Sequence, residues 1–497
     1  MLFIMKRKGI VMTKLQCFFV FIHLIMSKKI NKYTLNGVTI EGFAAEGNSL
    51  LKNNDKVIFV PYVVPGDVAD IEVYKQKKSY CYARVLDIKQ YSDKRSEVKC
   101  PHFTYCGGCK WQMLDYKWQL YYKQQQVYDS LVRIGKVECD NMSDIIGSDN
   151  IFYYRNKLEF TFSDRAWVKD YSKDNAALPA LGFHVSGLFD KVLNIDTCLL
   201  QQDISDRIRN FVRERTIKHN IPYYNIKNHT GVMRTLVIRT TMQDEVMVLL
   251  AFAENDQDII KKVMGEIRDE FPQITSLQYC INDKMNDSLS DREFHVFYGK
   301  DHITEYMPRY DSEGQEPLKF KIRPKTFYQT NPPQALKLYT KAADFADIST
   351  EDTVYDLYTG TGTIANFIAN KAKKVVGIEY VEDAVEDARI NSVENGIDNS
   401  VFFAGDMAKV LTDEFVATNG RPDIIITDPP RNGMAESVVK QIMKIRPKKI
   451  VYISCNPATQ ARDLQMLQQD YKVNNVQPVD MFPYTHHIEN IVSLTIK

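Results

Sequence analysis

Long apolar runs are almost missing from this 497-residue chain. The one candidate, Leu15–Ile25, follows Lys6–Arg7–Lys8 and imitates a secretory signal. No small-residue cleavage site follows it, and it is too short to cross a bilayer. A membrane protein is therefore not expected. Met26–Ser27–Lys28–Lys29 reads as a natural start, so residues 1–25 are expected to be dispensable. A disulfide framework is missing as well. The nine cysteines are odd in number and scattered, which fits a reducing cytoplasm. Internal repeats and low-complexity segments are absent. Net charge is close to zero, at +1. Residues 1–120, however, hold 19 Lys/Arg against 10 Asp/Glu, and the remainder offsets that surplus. A basic front end suits an anionic polymer as partner.

What is present comes in four blocks after a tail at residues 1–33. Residues 34–92 alternate apolar and polar in short runs punctuated by Gly47 and Pro65–Gly66, the pattern of a small OB-like β-barrel. Its Tyr74–Lys75–Gln76–Lys77–Lys78–Ser79–Tyr80 loop interleaves lysines with rings, a combination that meets phosphates and bases. Residues 93–119 carry Cys100, Cys106 and Cys109 at C-x5-C-x2-C spacing, a loop able to wrap one metal centre. A radical SAM enzyme would want C-x3-C-x2-C. A closed site needs a fourth ligand, for which Cys198 is the candidate, and thiolate-only ligation leaves zinc and an iron–sulfur cluster both open. Residues 120–320 mix helix and strand patterns, and Tyr153–Tyr154–Arg155–Asn156–Lys157 again sets rings beside cations.

From residue 321 to 497 the pattern becomes regular βα alternation, which predicts a doubly wound parallel sheet. The strand 353–357 runs into Tyr358–Thr359–Gly360–Thr361–Gly362–Thr363, where glycines let a ligand approach the backbone. Ala365 stands where a dinucleotide fingerprint has its third glycine. Glu379 closes the next strand, in position to accept ribose hydroxyls, and Asp406 follows the third, near an adenine amino group. Together these features describe a site for S-adenosylmethionine. The fourth strand ends at Asp428–Pro429–Pro430–Arg431, and the fifth delivers Cys455 before an Asn-Pro turn. A thiolate there suits attack on electron-poor carbon. Glu489 follows an apolar turn that would raise its pKa.

The set Asp428–Pro429–Pro430–Arg431, Ser454–Cys455–Asn456–Pro457 and Phe482–Glu489 resembles the RNA 5-methyluridine methyltransferases. Phe327–Tyr328–Gln329–Thr330–Asn331 looks like that family's cofactor-and-base loop. The cysteine quartet is similar to that of its iron–sulfur-bearing 23S ribosomal RNA branch, and residues 34–92 are similar to its TRAM domain. The resemblance implies an α/β, Rossmann-like methyltransferase domain behind a TRAM barrel and an α+β central RNA-binding domain. It implies Cys455 as nucleophile adding to uracil carbon 6 and Glu489 as general base. Gln329, Tyr358, Gly360, Thr363, Glu379, Asp406 and Asp428 would line the S-adenosylmethionine and uracil pocket. Cys100, Cys106, Cys109 and Cys198 would hold a 4Fe-4S cluster, with zinc the alternative. The family commonly has Phe-Cys at Tyr358–Thr359 and often Asn at Thr363.

The expected activity is methylation of carbon 5 of a uridine in ribosomal RNA by a cytoplasmic monomer, with transfer RNA the competing substrate. An amino methyltransferase would instead use Asp428 and leave Cys455 structural, and an RNA-binding scaffold would bind no cofactor.

Overall fold

The computed structural model describes residues 32–169 and 178–497. The expectation for residues 1–25 lies outside the described residues. The chain divides into two compact units, residues 1–95 and 96–497. Among the described residues no helix is long and apolar enough to cross a membrane.

In the first unit, strands β1 (Tyr33–Thr39), β2 (Gly42–Phe43), β3 (Ser49–Asn53), β4 (Lys56–Val60), β5 (Val68–Gln76) and β6 (Tyr80–Gln90) make one sheet, ordered β1-β5-β6-β4-β3-β2. Side chains alternate faces along a strand. Ala69, Ile71 and Val73 of β5 therefore share one core with Ile58, Val60, Cys81 and Ala83. Buried Asp67 ties the ends together. It accepts from the Val64 and Ser92 N–H groups at 2.7 and 2.9 Å and takes a two-pronged grip from Arg95 at 2.9 and 2.7 Å.

The second unit begins with the cysteine loop and helix α1 (Tyr116–Ser130), capped by the Asp115 carboxylate. A seven-stranded sheet follows: β7 (Lys157–Ser163), β8 (Ala180–Val185), β9 (Leu188–Asn194), β10 (Met233–Thr240), β11 (Val246–Phe252), β12 (Ser276–Ile281) and β13 (His295–Gly299), ordered β13-β12-β11-β10-β7-β8-β9. Helices α2 (Asp203–Lys218) and α3 (Gln257–Glu270) pack Ile208, Val212, Val263 and Ile267 onto one of its faces. The hairpin β14 (Ile303–Met307) and β15 (Leu318–Ile322) leads on to the last sheet.

That sheet holds β16 (Thr353–Leu357), β17 (Lys374–Glu379), β18 (Ser400–Ala404), β19 (Ile424–Thr427), β20 (Lys449–Ser454), β21 (Tyr471–Val479) and β22 (Glu489–Ile496). The order is β18-β17-β16-β19-β20-β22-β21, parallel through β20, with β22 inserted antiparallel. Helices α4 (Pro332–Ala346), α5 (Thr363–Ile368) and α6 (Glu382–Glu394) cover one face. Helices α7 (Glu436–Ile445) and α8 (Pro457–Leu467) cover the other. Both faces being dry, the strands are continuous apolar runs such as Ile424–Ile426 and Ile450–Ile453. Helix α1 joins the α8 side, where Val127, Leu131 and Val137 pack with Ala461 and Leu464. Met142 and Ile146 add parallel bridges to β21. Residues 120–146 thus pack on the last sheet, because their apolar side chains find their partners there.

Candidate active site

Parallel strands deliver their carboxyl ends to one edge, and ligands gather there. At this edge Tyr358 follows β16, Glu379 closes β17, Asp406 lies two residues past β18, Asp428 follows β19 and Cys455 follows β20. Antiparallel β22 starts at the same edge. Its register pairs Ser454 with Asn490, so the next step past the ladder sets Cys455 against Glu489. Two residues 34 positions apart meet because one strand ends where the other begins.

Cys455 is partly buried and stands just ahead of α8, whose first turn is capped by Asn456 and opened by Pro457. Burial first, then the carboxylates of Glu489 and Asp428, push its thiol up to about 11. Arg431, hydrogen-bonded to the thiol, pulls the other way. Glu489 is held well above the ordinary carboxylate range by burial and by Asp428, with Arg431 opposing. Burial and neighbouring Asp356 push Asp428 to about 7. The Arg431 carbonyl accepts from Asn456 Nδ2 at 3.0 Å and Thr459 Oγ1 at 3.1 Å, which ties the Asp-Pro-Pro-Arg loop to the start of α8. Arg431 Nη2 donates to His487 Nδ1 at 3.0 Å. Burial and Arg431 lower His487 to about 4, so the ring is a neutral acceptor. The pocket therefore holds a thiol, closely packed carboxyls and a guanidinium, an arrangement that raises the proton affinity of the carboxyls, as a general base requires.

Gln329 joins this group through Tyr339. The Tyr339 hydroxyl is hydrogen-bonded to Gln329 and lies within the field of Asp428, Asp356 and Glu489. On the other flank, Gly360 has φ of +55°, and a Cβ there would meet open space. Its N–H donates to Glu379 Oε2 at 3.1 Å, and Glu379 Oε1 accepts from the Tyr380 and Val381 N–H groups at 2.8 and 3.0 Å. Tyr358 takes a left-handed φ of +64°, rare for a large side chain, at the turn where β16 ends. Thr363 is buried, with its hydroxyl 3.3 Å from that of Thr361. Asp406 caps the short turn Met407–Val410 by accepting from the Ala408 N–H at 2.9 Å.

Asp356 and Tyr339 escaped the sequence reading. Asp356 is fully buried and raised to about 7 by burial. Its Oδ2 accepts from Thr359 at 2.5 Å and the Ala365 N–H at 3.1 Å, while Oδ1 has no protein partner. A lone carboxylate inside the apolar run Val354–Leu357 was the available signal. Tyr339 sits on α4 at ordinary core spacing and offers none.

The turn carrying Glu489 is anchored from far away. Lys123 Nζ and Asp480 Oδ1 form a 2.6 Å ion pair in which both side chains are wholly buried. Asp480 also accepts from the Tyr116 hydroxyl and the Phe482 N–H, each at 3.0 Å. The Tyr484 carbonyl accepts from the N–H groups of Lys110 and Trp111 at 2.9 and 3.0 Å, and its own N–H donates to Gln119 at 2.8 Å. The cysteine loop and the turn are thus stitched together.

Cys100, Cys106, Cys109 and Cys198 line one cavity of about 180 Å³, and all four are free thiols. Burial pushes Cys106 and Cys109 up to about 12. The Gly108 N–H points at Cys106 Sγ at 3.4 Å, and Gln112 Nε2 at Cys109 Sγ at 3.5 Å. Cys198 is held by Asp206, which accepts its N–H at 3.0 and 3.1 Å and is paired at 2.8 Å with buried Arg209. Among the described residues no group of three or more His, Cys, Asp or Glu side chains is arranged to hold a metal ion.

A family profile described as tRNA (uracil-5-)-methyltransferase matches residues 203–497, more than half of the chain. The chain belongs to that family. This uracil-5-methyltransferase family member is 50% identical to an uncharacterized RNA methyltransferase of Bacteroides thetaiotaomicron, over 91% of this chain and all of the relative. It is 49% identical to one of Porphyromonas gingivalis, over 92% of this chain and 98% of the relative. Among solved structures it is similar to the Pyrococcus abyssi tRNA (uracil-54, C5)-methyltransferase in complex with S-adenosyl-L-homocysteine. That match has a TM-score of 0.70 at 27% identity and covers 92% of this chain and 100% of the other. The family member is accordingly a SAM-dependent RNA methyltransferase with the mixed α/β fold of that enzyme class.

Proposed function

We propose that this enzyme transfers a methyl group from S-adenosylmethionine to carbon 5 of a uridine in RNA through a covalent adduct of Cys455. The observation that carries the reading is the β20–β22 register, which sets the Cys455 thiol against the Glu489 carboxyl beside Asp428 and Arg431. Carbon 5 of uracil is too weak a nucleophile unaided. The Cys455 proton passes to bulk water and the thiolate sulfur bonds to carbon 6, which turns the ring into an enolate. Carbon 5 then takes the methyl group, and S-adenosylhomocysteine leaves. Glu489 removes the carbon 5 proton, the enolate reforms, and the carbon–sulfur bond breaks to return Cys455. Arg431 favours the thiolate, and Asp428 orients the pyrimidine edge. Glu379, Gly360, Tyr358, Thr363 and Asp406 form the flank where S-adenosylmethionine binds, with Gln329 between the two substrates. A stacked uridine has to be swung out of its helix to reach this pocket.

The cysteine cavity supplies the four thiols that a 4Fe-4S cluster would need, although among the described residues they are not gathered as a ready-made metal site. Four half-buried thiols from two segments line one cavity, N–H groups approach two of the sulfurs, and Asp206 fixes Cys198. A polynuclear cluster spans ligands spread around a cavity more readily than one zinc ion does. When bound it would fasten the 100–109 loop to residue 198, a structural role that requires no electron transfer in methylation. The N-terminal unit reads as an OB-like TRAM barrel for RNA. Phe59, Tyr80 and Tyr82 cluster with ring centroids 5.6–5.8 Å apart, and Lys75 lies 5.3 Å from the Tyr82 ring.

Ribosomal RNA is the proposed substrate, on the strength of the cysteine quartet. Transfer RNA is the second reading, favoured by the substrate of the Pyrococcus abyssi enzyme. Mapping 5-methyluridine in both RNA classes, from cells with and without the gene, separates them. RNA carrying 5-fluorouridine should trap the enzyme, and peptide sequencing should place the link on Cys455. A link to another residue, or no link, refutes the covalent scheme.

A further inference from the structure

Strands β7 and β10 run antiparallel, and their register sets Lys157 directly opposite Arg239. Cross-strand partners share a face, and like charges so placed destabilise a sheet. This face is turned away from the core, since Leu158 and Phe160 of β7 pack into the other side. Arg155 stands two residues before Lys157 on the same approach, its Nε 3.1 Å from the Lys157 carbonyl. Among the described residues none of these three cations forms an ion pair. Arg239 is 4% exposed, and its Nη1 donates only to the carbonyls of Arg323 and Thr326, at 3.1 and 2.9 Å. Burial lowers it to about 10. Lys157 is lowered by burial and by Arg239, then partly restored by Glu159, an exposed residue of the same strand face. The nearby aspartates are engaged elsewhere: Asp383 with Lys325 at 3.1 Å, Asp387 with Arg323 at 2.8 Å and Thr326 at 2.5 Å.

The three cations line one open cleft of about 390 Å³ together with Lys325, Phe327, Thr330 and one carboxylate, Glu159. Phe327 is 66% exposed, a large ring with little cover. The wall of the cleft is tied by hydrogen bonds to the group around Cys455. Asn156 donates to the carbonyls of Gln329 and Thr330, at 3.3 and 2.8 Å, and Gln329 is hydrogen-bonded to Tyr339 beside Asp428.

We propose that Arg155, Lys157 and Arg239 bind a phosphodiester of the RNA next to the target uridine, while Phe327 stacks on the neighbouring base. The proposal rests on the RNA-uridine reading above. The cleft holds more cations than its single carboxylate balances, and the substrate backbone supplies the missing negative charge. A free base has no phosphate to give, so this cleft discriminates in favour of a polymer.

The test uses Lys157→Gln and Phe327→Ala in the full chain, with a short oligouridine strand as the binding probe. Lys157→Gln should weaken binding about tenfold, and the slope of log affinity against log salt should shrink by about 0.7, the value for one single-strand phosphate contact. KM for RNA should rise with kcat held, and S-adenosylmethionine affinity should match wild type. Its melting temperature should equal or exceed wild type, because a like-charge pair is relieved. Phe327→Ala should weaken binding with the salt slope intact. A wild-type slope in Lys157→Gln, a loss of RNA affinity accompanied by a lower melting temperature, or unchanged binding in Phe327→Ala overturns the proposal. Failure of the wild-type enzyme to trap 5-fluorouridine RNA would instead sink the parent reading, because that adduct does not depend on Lys157.

Discussion

Replacing Lys123 with Met isolates the contribution of the anchor beneath the Glu489 turn. Lys123 and Asp480 are both fully buried, 2.6 Å apart, and Lys123 Nζ also donates to the Phe482 carbonyl at 3.1 Å. Removing one partner of such a pair leaves a charge in a dry interior, at a cost of about 3–5 kcal/mol. In Lys123→Met the Asp480 carboxylate keeps only the Tyr116 hydroxyl and the Phe482 N–H. Adding Asp480→Asn removes the stranded charge and retains an oxygen for those donors. The double variant should therefore return to within about 1–2 kcal/mol of wild type. Urea and thermal unfolding read both values. The single change should lower the melting temperature by roughly 4–8 °C, since the shift per kcal/mol shrinks as a protein grows. Trapping on 5-fluorouridine RNA should slow while S-adenosylmethionine affinity holds, because the anchor serves the β21–β22 turn and not the Glu379 flank. A Lys123→Met protein as stable as wild type, or a double variant no better than the single one, refutes this account.

Glu489→Gln should still add Cys455 to uracil and transfer the methyl group, but release should stall. A methylated adduct on ordinary RNA, seen as a slow band in denaturing gels, is the expected product, and normal turnover would refute the base assignment. With Cys455 raised to about 11, the thiolate fraction near neutral pH is small, so adduct formation should climb about tenfold per pH unit. Arg431→Gln removes a cation that opposes the rise, so its pH–rate limb should move to higher pH; an unmoved limb would show that Arg431 does not act on the thiol. Asp206→Asn withdraws the charge that balances buried Arg209 and fixes Cys198, so iron per purified chain and visible absorbance should both fall. Wild-type iron content in that variant would remove Asp206 from the site.

The sheet at 353–454 was legible because parallel strands covered on both faces are written as unbroken apolar runs closed by turn residues. The run 353–357 reads as a strand, and Thr353–Leu357 is one. Helix α1 begins at Tyr116, ahead of the mixed region read from residue 120, because the Asp115 carboxylate caps it there. Short antiparallel pieces such as Ser49–Asn53 have too few residues to show a period. Cys455, Glu489 and Asp428 stood out by residue type beside turn signals. Asp356, Tyr339 and the Lys123–Asp480 pair did not, because their meaning lies in partners distant along the chain. The Lys157–Arg239 opposition is likewise invisible until register is known, since residues 157 and 239 become neighbours only when β7 meets β10.

The Tyr484 hub has a kinetic consequence. Its hydrogen bond to Gln119 joins residues 365 positions apart, and the ion pair beside it joins residues 357 apart. Contacts of that span close late, after the loops between them have been drawn in. On dilution from denaturant, secondary structure should therefore return before methyl transfer does, and catalytic competence should be the final property regained.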